Sequence, residues 1–318
     1  DVERSRGLGD VYKRQALLRA VGDTKRPLYF LLCAGVINVI LNLLFVIGFQ
    51  MDVMGVAIAT VISETVSALL VLRCLVKEKG GIHLELRAMR IDRKKMLQIL
   101  RIGLPAGFQG VVFALSNVVI QSSVNIFGNI VVAGNSAAAN LEGFVYMAMN
   151  AFYQTTLSFV SQNYGAGKQK RINRIVLLGE ACVIVTGTLL GNMVVFFGND
   201  LLQIYSNNPE VIAAGMVRLH YISMIYALCG IMDVMVGALR GIGYSIMPMI
   251  VSIVGVCVLR LIWLATVFQI PEFHKIETVY LSYPVTWILT SLVYIVFFVW
   301  IRIRSARKKS APSAAQNI

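Results

Sequence analysis

The residues of this sequence best suited to chemistry are ionisable side chains inside long apolar stretches. Asp233, Glu142 and Arg260 each lie within such a stretch. A charged group near the centre of a membrane helix costs about 2.5–3.5 kcal/mol, so residues of this kind commonly bind ions, carry protons or form an internal ion pair. We therefore take these three residues as candidates for binding a coupling cation or proton. A structural ion pair between Asp233 and Arg260 is the alternative.

Two rows of polar residues extend this candidate site. In the stretch 132–161 polar side chains recur at four-residue steps from Glu142, and a second row lies in 101–127. Side chains four residues apart share a helix face, and a polar face within a membrane turns toward the protein interior or a watery cavity. We predict that the rows line a substrate cavity, with hydrogen bonding between helices as the alternative. The predicted lining residues are Tyr146, Asn150, Tyr153 and Gln154 in one row and Gln109, Asn117 and Gln121 in the other.

The composition excludes several other kinds of chemistry. Apolar residues make up 57% of the 318 residues and charged residues only 14%, against about 25% charged in soluble domains. The net charge of +13 does not indicate nucleic acid as a partner, because the basic residues lie between the apolar runs. The five cysteines are not spaced as metal ligands. We expect an integral membrane protein that is not an enzyme and has no catalytic residue, metal site or cofactor.

Membrane-spanning helices must position these side chains. About 20 apolar residues of helix cross a hydrocarbon core. On this measure we predict eight spans, at 27–49, 54–76, 101–127, 132–161, 172–197, 210–238, 247–268 and 278–303. Lysines and arginines are concentrated in alternate loops and after the last span, and the positive-inside rule places these segments in the cytoplasm. The predicted fold class is an all-α, multi-pass membrane protein with a cytoplasmic C-terminus.

Turn chemistry adds two local expectations. Asn208, followed by Pro209 and Glu210, is expected to cap the helix that begins there. Pro105 is expected to lie near the first turn of its helix, where a missing amide hydrogen costs little.

A short motif occurs twice and indicates an internal duplication. Residues 18–27 and 239–248 both read L-R-x-x-G-x-x-x-x-P, and a long apolar run follows each copy. The glycine can adopt positive φ in a tight turn, and the proline can start the next helix. Six spans lie between the copies, so we predict parallel repeats and a complete architecture of six plus six helices. The motif residues are Arg19, Gly22 and Pro27 in the first copy and Arg240, Gly243 and Pro248 in the second.

The repeat also divides the chain into segments. Residues 101–304 should form one complete six-helix lobe, whereas 16–76 hold the last two helices of the other lobe, with the cytoplasmic linker 77–100 between them. Residues 305–318 form a basic cytoplasmic tail. The polar residues 1–15 stand where the repeat requires an apolar helix. We interpret them as an expression or assembly scar in an N-terminally truncated fragment, with about four helices missing before it.

Four stretches of the sequence resemble the multidrug and toxic compound extrusion (MATE) family, in its bacterial branch of DNA-damage-inducible-F-like proteins. The resemblance covers 16–304 and implies two six-helix lobes around a central cavity, in a protein that is monomeric when full length. It further implies an antiporter, in which inward flow of Na⁺ or H⁺ drives amphipathic, often cationic compounds outward by alternating access. The matching stretches are L-R-A-V-G-D-T-K-R-P (18–27), R-I-G-L-P-A-G-F-Q (101–109), S-Q-N-Y-G-A-G (161–167) and A-L-R-G-I-G (238–243).

The sequence departs from the family pattern in one respect and leaves two rival functions. Some members have a coupling glutamate in the helix that corresponds to 101–127, and this stretch contains no acidic residue. A lipid-linked oligosaccharide flippase of the same superfamily would need several cations for its pyrophosphate, and the spans offer mainly Arg260, with Arg218 nearer the outer end. An inactive remnant or a membrane scaffold is the second rival. The expected partners are small amphipathic molecules and membrane lipids.

Overall fold

The computed structural model describes Asp23, residues 25–77 and residues 92–310, with side chains placed as far as Arg304. The regular elements in these residues are helical, which confirms the predicted all-α fold class. Residues 1–15, Arg19, Gly22 and most of the linker and tail lie outside the described part. The helices are α1 (Lys25–Leu43), α2 (Asp52–Lys77), α3 (Arg93–Asn125), α4 (Asn129–Gly165), α5 (Gln169–Phe196), α6 (Gly198–Gln203), α7 (Pro209–Ile222), α8 (Ala227–Gly241), α9 (Ile246–Ser252), α10 (Leu259–Ala265) and α11 (Ile276–Ser310).

The first compact unit, residues 1–92, is described by the helix pair α1 and α2. The two helices pack side by side, and the amide of Asn38 in α1 donates a hydrogen bond to the hydroxyl of Ser63 in α2 at 3.1 Å. Asn42 donates in turn to the side-chain oxygen of Asn38 at 2.9 Å. The polar side chains of this pair therefore bond to one another, as side chains between membrane helices commonly do.

The second compact unit, residues 93–318, is built around α4 and α8. Helix α4 packs against α5, α7 and α8, and α8 also contacts α5 and α11. Glycines permit these close approaches: a Cβ added to Gly191 of α5 would overlap the carbonyl oxygen of Ser223. Fully buried side chains of α4, α5, α8 and α11 form one core, with Met149, Val183, Leu239 and Tyr294 among its members.

Six of the described helical stretches are long and apolar enough to cross a membrane, or seven if a bent pair counts as one span. The pair joins α7 to α8 through the 3-10 turn Ser223–Ile225 and bends by 47°. The stretch 210–238 is therefore not the single helix that we predicted. Helix α5 packs directly against the break, and no proline within the stretch marks it. Helix α4 is long enough to cross a membrane, but it is too polar to be counted among these apolar stretches. The number of eight membrane spans therefore stays a prediction.

The two copies of the duplicated motif lead into their helices in the same way. Pro27 is the third residue of α1, Pro248 is the third residue of α9, and both are buried. Gly243 has a φ of 95°, and the amide of Tyr244 donates to the carbonyl of Leu239 at 3.0 Å, which closes the end of α8. Among the described residues, the two copies thus agree in the position and burial of the motif proline.

Of the two predictions made for helix starts, at Asn208 and at Pro105, the structure confirms the first. Asn208 caps α7 as predicted, since its side-chain oxygen accepts a hydrogen bond from the amide of Glu210 at 2.9 Å. Pro105 lies inside α3 and not near its first turn. The helix begins earlier, at Arg93, because no glycine or proline interrupts residues 93–102.

Candidate functional site

A buried ion pair connects α4 to α7. Nε and Nη2 of Arg218 donate hydrogen bonds to the two carboxylate oxygens of Glu142, at 3.0 and 2.7 Å. Glu142 is 4% exposed and Arg218 is 8% exposed. A planar guanidinium matches a carboxylate in this forked arrangement, which makes such a pair stronger than a single charged contact. The candidate coupling residue Glu142 therefore already has a partner in this structure.

Asn135 links two more helices to this ion pair. Its side-chain oxygen accepts hydrogen bonds from Nη1 of Arg218 at 2.6 Å and from the hydroxyl of Tyr280 in α11 at 3.2 Å. Its amide nitrogen donates to Gln121 of α3 at 3.1 Å. One polar network thus cross-links α3, α4, α7 and α11. Asn135 was not predicted from the sequence, and Arg218 was considered only as a cation for a flippase, although a basic residue within an apolar run was the same signal that marked Arg260.

Arg260 lies in α10, two residues after the π-helical segment Ile253–Val258. It is 3% exposed and donates from Nη2 to the hydroxyl of Thr286 at 3.0 Å. The carbon of its guanidinium lies 3.9 Å from the centre of the Tyr283 ring, a favourable cation–π distance. No carboxylate forms an ion pair with it among the described residues, and its Nε has no hydrogen-bond partner there.

The alternative of an ion pair between Asp233 and Arg260 is therefore wrong for the described part of the chain. The packing of α10 turns Arg260 toward α11, where Tyr283 and Thr286 receive it. Asp233 is directed toward α4 instead, where it meets Tyr146.

Asp233 forms a second polar cluster with α4. Its carboxylate lies close to the hydroxyl of Tyr146, and that hydroxyl is also near the side chain of Asn150. One carboxylate oxygen, Oδ2, is buried and has no hydrogen-bond partner among the described residues. Tyr146 is 39% exposed, so the carboxylate lies behind a side chain that reaches the surface of the unit. An oxygen placed in this way can accept a proton or contribute to binding a small cation.

Arg240, the arginine of the second motif copy, joins two of the predicted lining residues. Its Nη1 donates to the hydroxyl of Tyr153 in α4 at 2.9 Å, and its Nη2 donates to the side-chain oxygen of Gln109 in α3 at 2.7 Å. This one guanidinium therefore ties the end of α8 to both polar rows. Its positive charge also acts on the carboxylate of Asp233, which lies seven residues earlier in the same helix.

The structure does not gather all the predicted lining residues in one place. Five of them fall into three clusters: Gln121 beside the ion pair of Arg218, Gln109 and Tyr153 at Arg240, and Tyr146 and Asn150 at Asp233. Asn117 and Gln154 are exposed on the second unit. Within the described residues no three histidine, cysteine, aspartate or glutamate side chains are grouped as metal ligands. The clusters are suited to holding helices together and, at Asp233, to binding a proton or a monovalent cation.

Comparisons with known proteins identify a matching family model and similar transport proteins. The MatE family model matches residues 105–266, which include the three clusters. The chain is similar to the probable multidrug resistance protein YpnP of Bacillus subtilis (strain 168), with 31% identity over 244 residues, 77% of this chain and 54% of the relative. It is also similar to a FAD transporter of Shewanella oneidensis, with 27% identity over 284 residues, 86% of this chain and 61% of the relative. The chain thus spans little more than half the length of these relatives.

Solved structures share the fold. The chain resembles the MATE transporter VcmN of Vibrio cholerae with a TM-score of 0.81 and 20% sequence identity, over 95% of this chain and 66% of that one. At this identity the similarity concerns the arrangement of helices alone.

Proposed function

The chain belongs to the MatE family of membrane transporters, and from this premise we propose that the protein exports drugs or other toxic amphipathic compounds. The name of the Bacillus subtilis relative, a probable multidrug resistance protein, supports this function. We further propose an antiport mechanism, in which Na⁺ or H⁺ enters as an amphipathic, often cationic compound leaves by alternating access. The described helices show a multi-pass membrane protein. We assign it to the bacterial inner membrane, with a cytoplasmic C-terminus and as a monomer.

Asp233 carries the proposal for the coupling site. A carboxylate inside a membrane span is costly, and a purely structural one would be expected to have both oxygens bonded. In Asp233 the buried Oδ2 has no hydrogen-bond partner among the described residues, although Tyr146 lies beside the carboxylate. Glu142 is the weaker candidate, because Arg218 already occupies both of its oxygens. Arg260, the third candidate, faces Tyr283 and Thr286 instead of Asp233, so we give it no direct part in this coupling site.

The remaining lining candidates divide by their contacts. Gln109, Gln121 and Tyr153 are engaged in bonds between helices, so their proposed role is to hold the wall of the site. Tyr146 and Asn150 lie next to Asp233, so their proposed role is to couple cation binding at Asp233 to substrate binding. Asn117 and Gln154 are exposed and remain candidates for direct contact with substrate.

Transport of ethidium tests the proposal. We would measure ethidium accumulation in inside-out membrane vesicles that contain the full-length protein, because export appears there as uptake into the vesicle. The comparison is between Asp233→Asn and Asp200→Asn, which removes the same charge from an exposed residue outside the apolar spans. We expect transport by wild type and by Asp200→Asn, and a loss of at least tenfold in Asp233→Asn. Equal rates in all three would remove Asp233 from the mechanism. Absence of both ethidium and FAD transport in the wild type would favour the inactive remnant or scaffold.

A second candidate is export of an anionic amphipathic compound, because Arg260 is buried without an ion-pair partner among the described residues. The similarity to a FAD transporter points in the same direction. Vesicles that transport FAD and not ethidium, with FAD transport lost in Arg260→Gln, would replace the first proposal by this one. A flippase for pyrophosphate-linked oligosaccharides is less well supported, because Glu142 neutralises the second buried arginine, Arg218.

A further inference from the structure

A basic and aromatic cavity lies in the second unit, and none of its lining residues belongs to the clusters described above. Its volume is about 410 Å³, and it has eight lining residues, none of them acidic. The lining residues are Tyr164, Gln169, Ile242, Tyr244, Trp300, Ile301, Arg302 and Arg304. Two positive charges therefore face a cavity that contains no compensating negative charge.

The position of this cavity coincides with the boundary of the membrane. Gln169 is the first residue of one apolar span, and Arg304 directly follows the apolar run 278–303 of another helix. Tyr244 lies two residues before a third span, Ile246–Gln269. Three span ends that meet in this way place the cavity at the level of lipid headgroups, whichever side of the membrane it faces.

Side chains around the cavity are held in place. Arg302 donates to the side-chain oxygen of Gln169 at 2.6 Å, to its carbonyl at 2.7 Å and to the side-chain oxygen of Asn173 at 2.7 Å. These bonds fix the guanidinium at the wall. Arg304 lies over the ring of Trp300 at 5.2 Å and is exposed, so its charge is available to a ligand. Trp300 in turn stacks on Phe297 at 5.8 Å.

An apolar groove adjoins the cavity on the other side of Tyr244. It measures about 480 Å³, and its lining is mostly apolar, with Ile102, Ile246 and Ile250, but it also includes the basic residue Arg101. Tyr244 lines both spaces and packs edge-on against Phe297 at a centroid distance of 6.0 Å. A charged compartment and an apolar compartment therefore meet at one aromatic residue.

We propose that these two compartments bind one anionic phospholipid, with its phosphate in the basic cavity and an acyl chain in the apolar groove. Arginines beside aromatic rings at the membrane boundary are suited to a phosphate headgroup, and basic pockets between membrane helices bind acidic lipids. A free phosphate ion would use the cavity but not the groove. The groove is the observation that favours the lipid, since it shares Tyr244 with the cavity and is lined by Ile246 and Ile250 of the third apolar span.

Native mass spectrometry of the full-length protein in detergent tests this site. We would titrate it with dioleoyl phosphatidylglycerol and, separately, with dioleoyl phosphatidylcholine. We expect one phosphatidylglycerol to be retained in preference to phosphatidylcholine. Arg304→Gln should weaken its binding about fivefold, the effect of one basic residue near an anionic headgroup. Ile246→Asn in the groove should weaken it severalfold without a change of charge.

A matched control separates this site from general charge attraction. Lys275→Gln removes a positive charge from the opposite end of α11 and should leave phosphatidylglycerol binding unchanged. Equal losses in Arg304→Gln and Lys275→Gln would overturn the proposal, as would equal retention of phosphatidylcholine. Inorganic phosphate that displaces the lipid completely, with Ile246→Asn without effect, would show a small-anion site instead. Arg304 is exposed at a span end, so its replacement does not put folding at risk.

Discussion

Replacing Glu142 by glutamine should destabilise the second unit by about 3 kcal/mol. The substitution leaves Arg218, which is 8% exposed, with its positive charge and without the carboxylate that neutralises it. Removing one partner of a buried ion pair costs about 3–5 kcal/mol, because the remaining charge is cut off from water. Glutamine keeps one acceptor oxygen, and the 2.6 Å hydrogen bond from Arg218 to Asn135 persists. We therefore expect the lower end of the range, which reduces the folding equilibrium constant by about a hundredfold.

A double-mutant cycle measures this coupling directly. Glu142→Gln, Arg218→Gln and the double variant would be unfolded from detergent micelles with increasing sodium dodecyl sulfate, followed by circular dichroism. Each single variant should lose about 3 kcal/mol, and the double variant should lose at least 2 kcal/mol less than their sum, since no buried charge is left unpaired. The control Glu272→Gln changes an exposed glutamate and should shift stability by about 0.5 kcal/mol or less.

Additive losses in the cycle would refute the reasoning, because they would show that the two side chains do not stabilise each other. The same variants also separate structure from transport. If Glu142 only balances the charge of Arg218, the double variant should regain stability and ethidium efflux together. If Glu142 carries the coupling ion, efflux should remain lost in a double variant that folds normally.

Two further predictions concern packing and the duplicated motif. Gly191→Ala should lower the unfolding midpoint, because the added methyl group would overlap the Ser223 carbonyl. Gly110→Ala has open space around it and should raise the free energy of unfolding by about 0.5–1 kcal/mol. The opposite order of stability in the same unfolding assay would contradict the described contact at the helix break. Arg240→Gln should cost about 1.5–3 kcal/mol, since it removes charged hydrogen bonds to α3 and α4. Arg240→Lys should recover only part of this loss, and a Gln variant as stable as wild type would exclude the cross-linking role.

The sequence by itself determined the elements whose causes are local. Apolar runs of membrane length predicted helices, and the family resemblance that they supported is confirmed by the match over residues 105–266. Asn208 could be identified as a cap because its partner, the amide of Glu210, lies two residues away. The turn at Gly243 also follows from neighbouring residues, since only a few backbone dihedrals decide it.

Only the tertiary structure decided which buried charges meet. Glu142 and Arg218 are separated by 76 residues, and the sequence analysis considered Asp233 and Arg260 as a pair instead. Successive side chains of a helix rotate by about 100°, so a small change in the rotation of one helix exchanges one partner for another. Packing sets that rotation, and here it includes the contact of Gly191 with Ser223 at a helix break that no sequence signal marks. Long-range packing therefore left Arg218 with Glu142, Arg260 with Tyr283 and Asp233 with one unpartnered oxygen in the part of the chain that the structure describes.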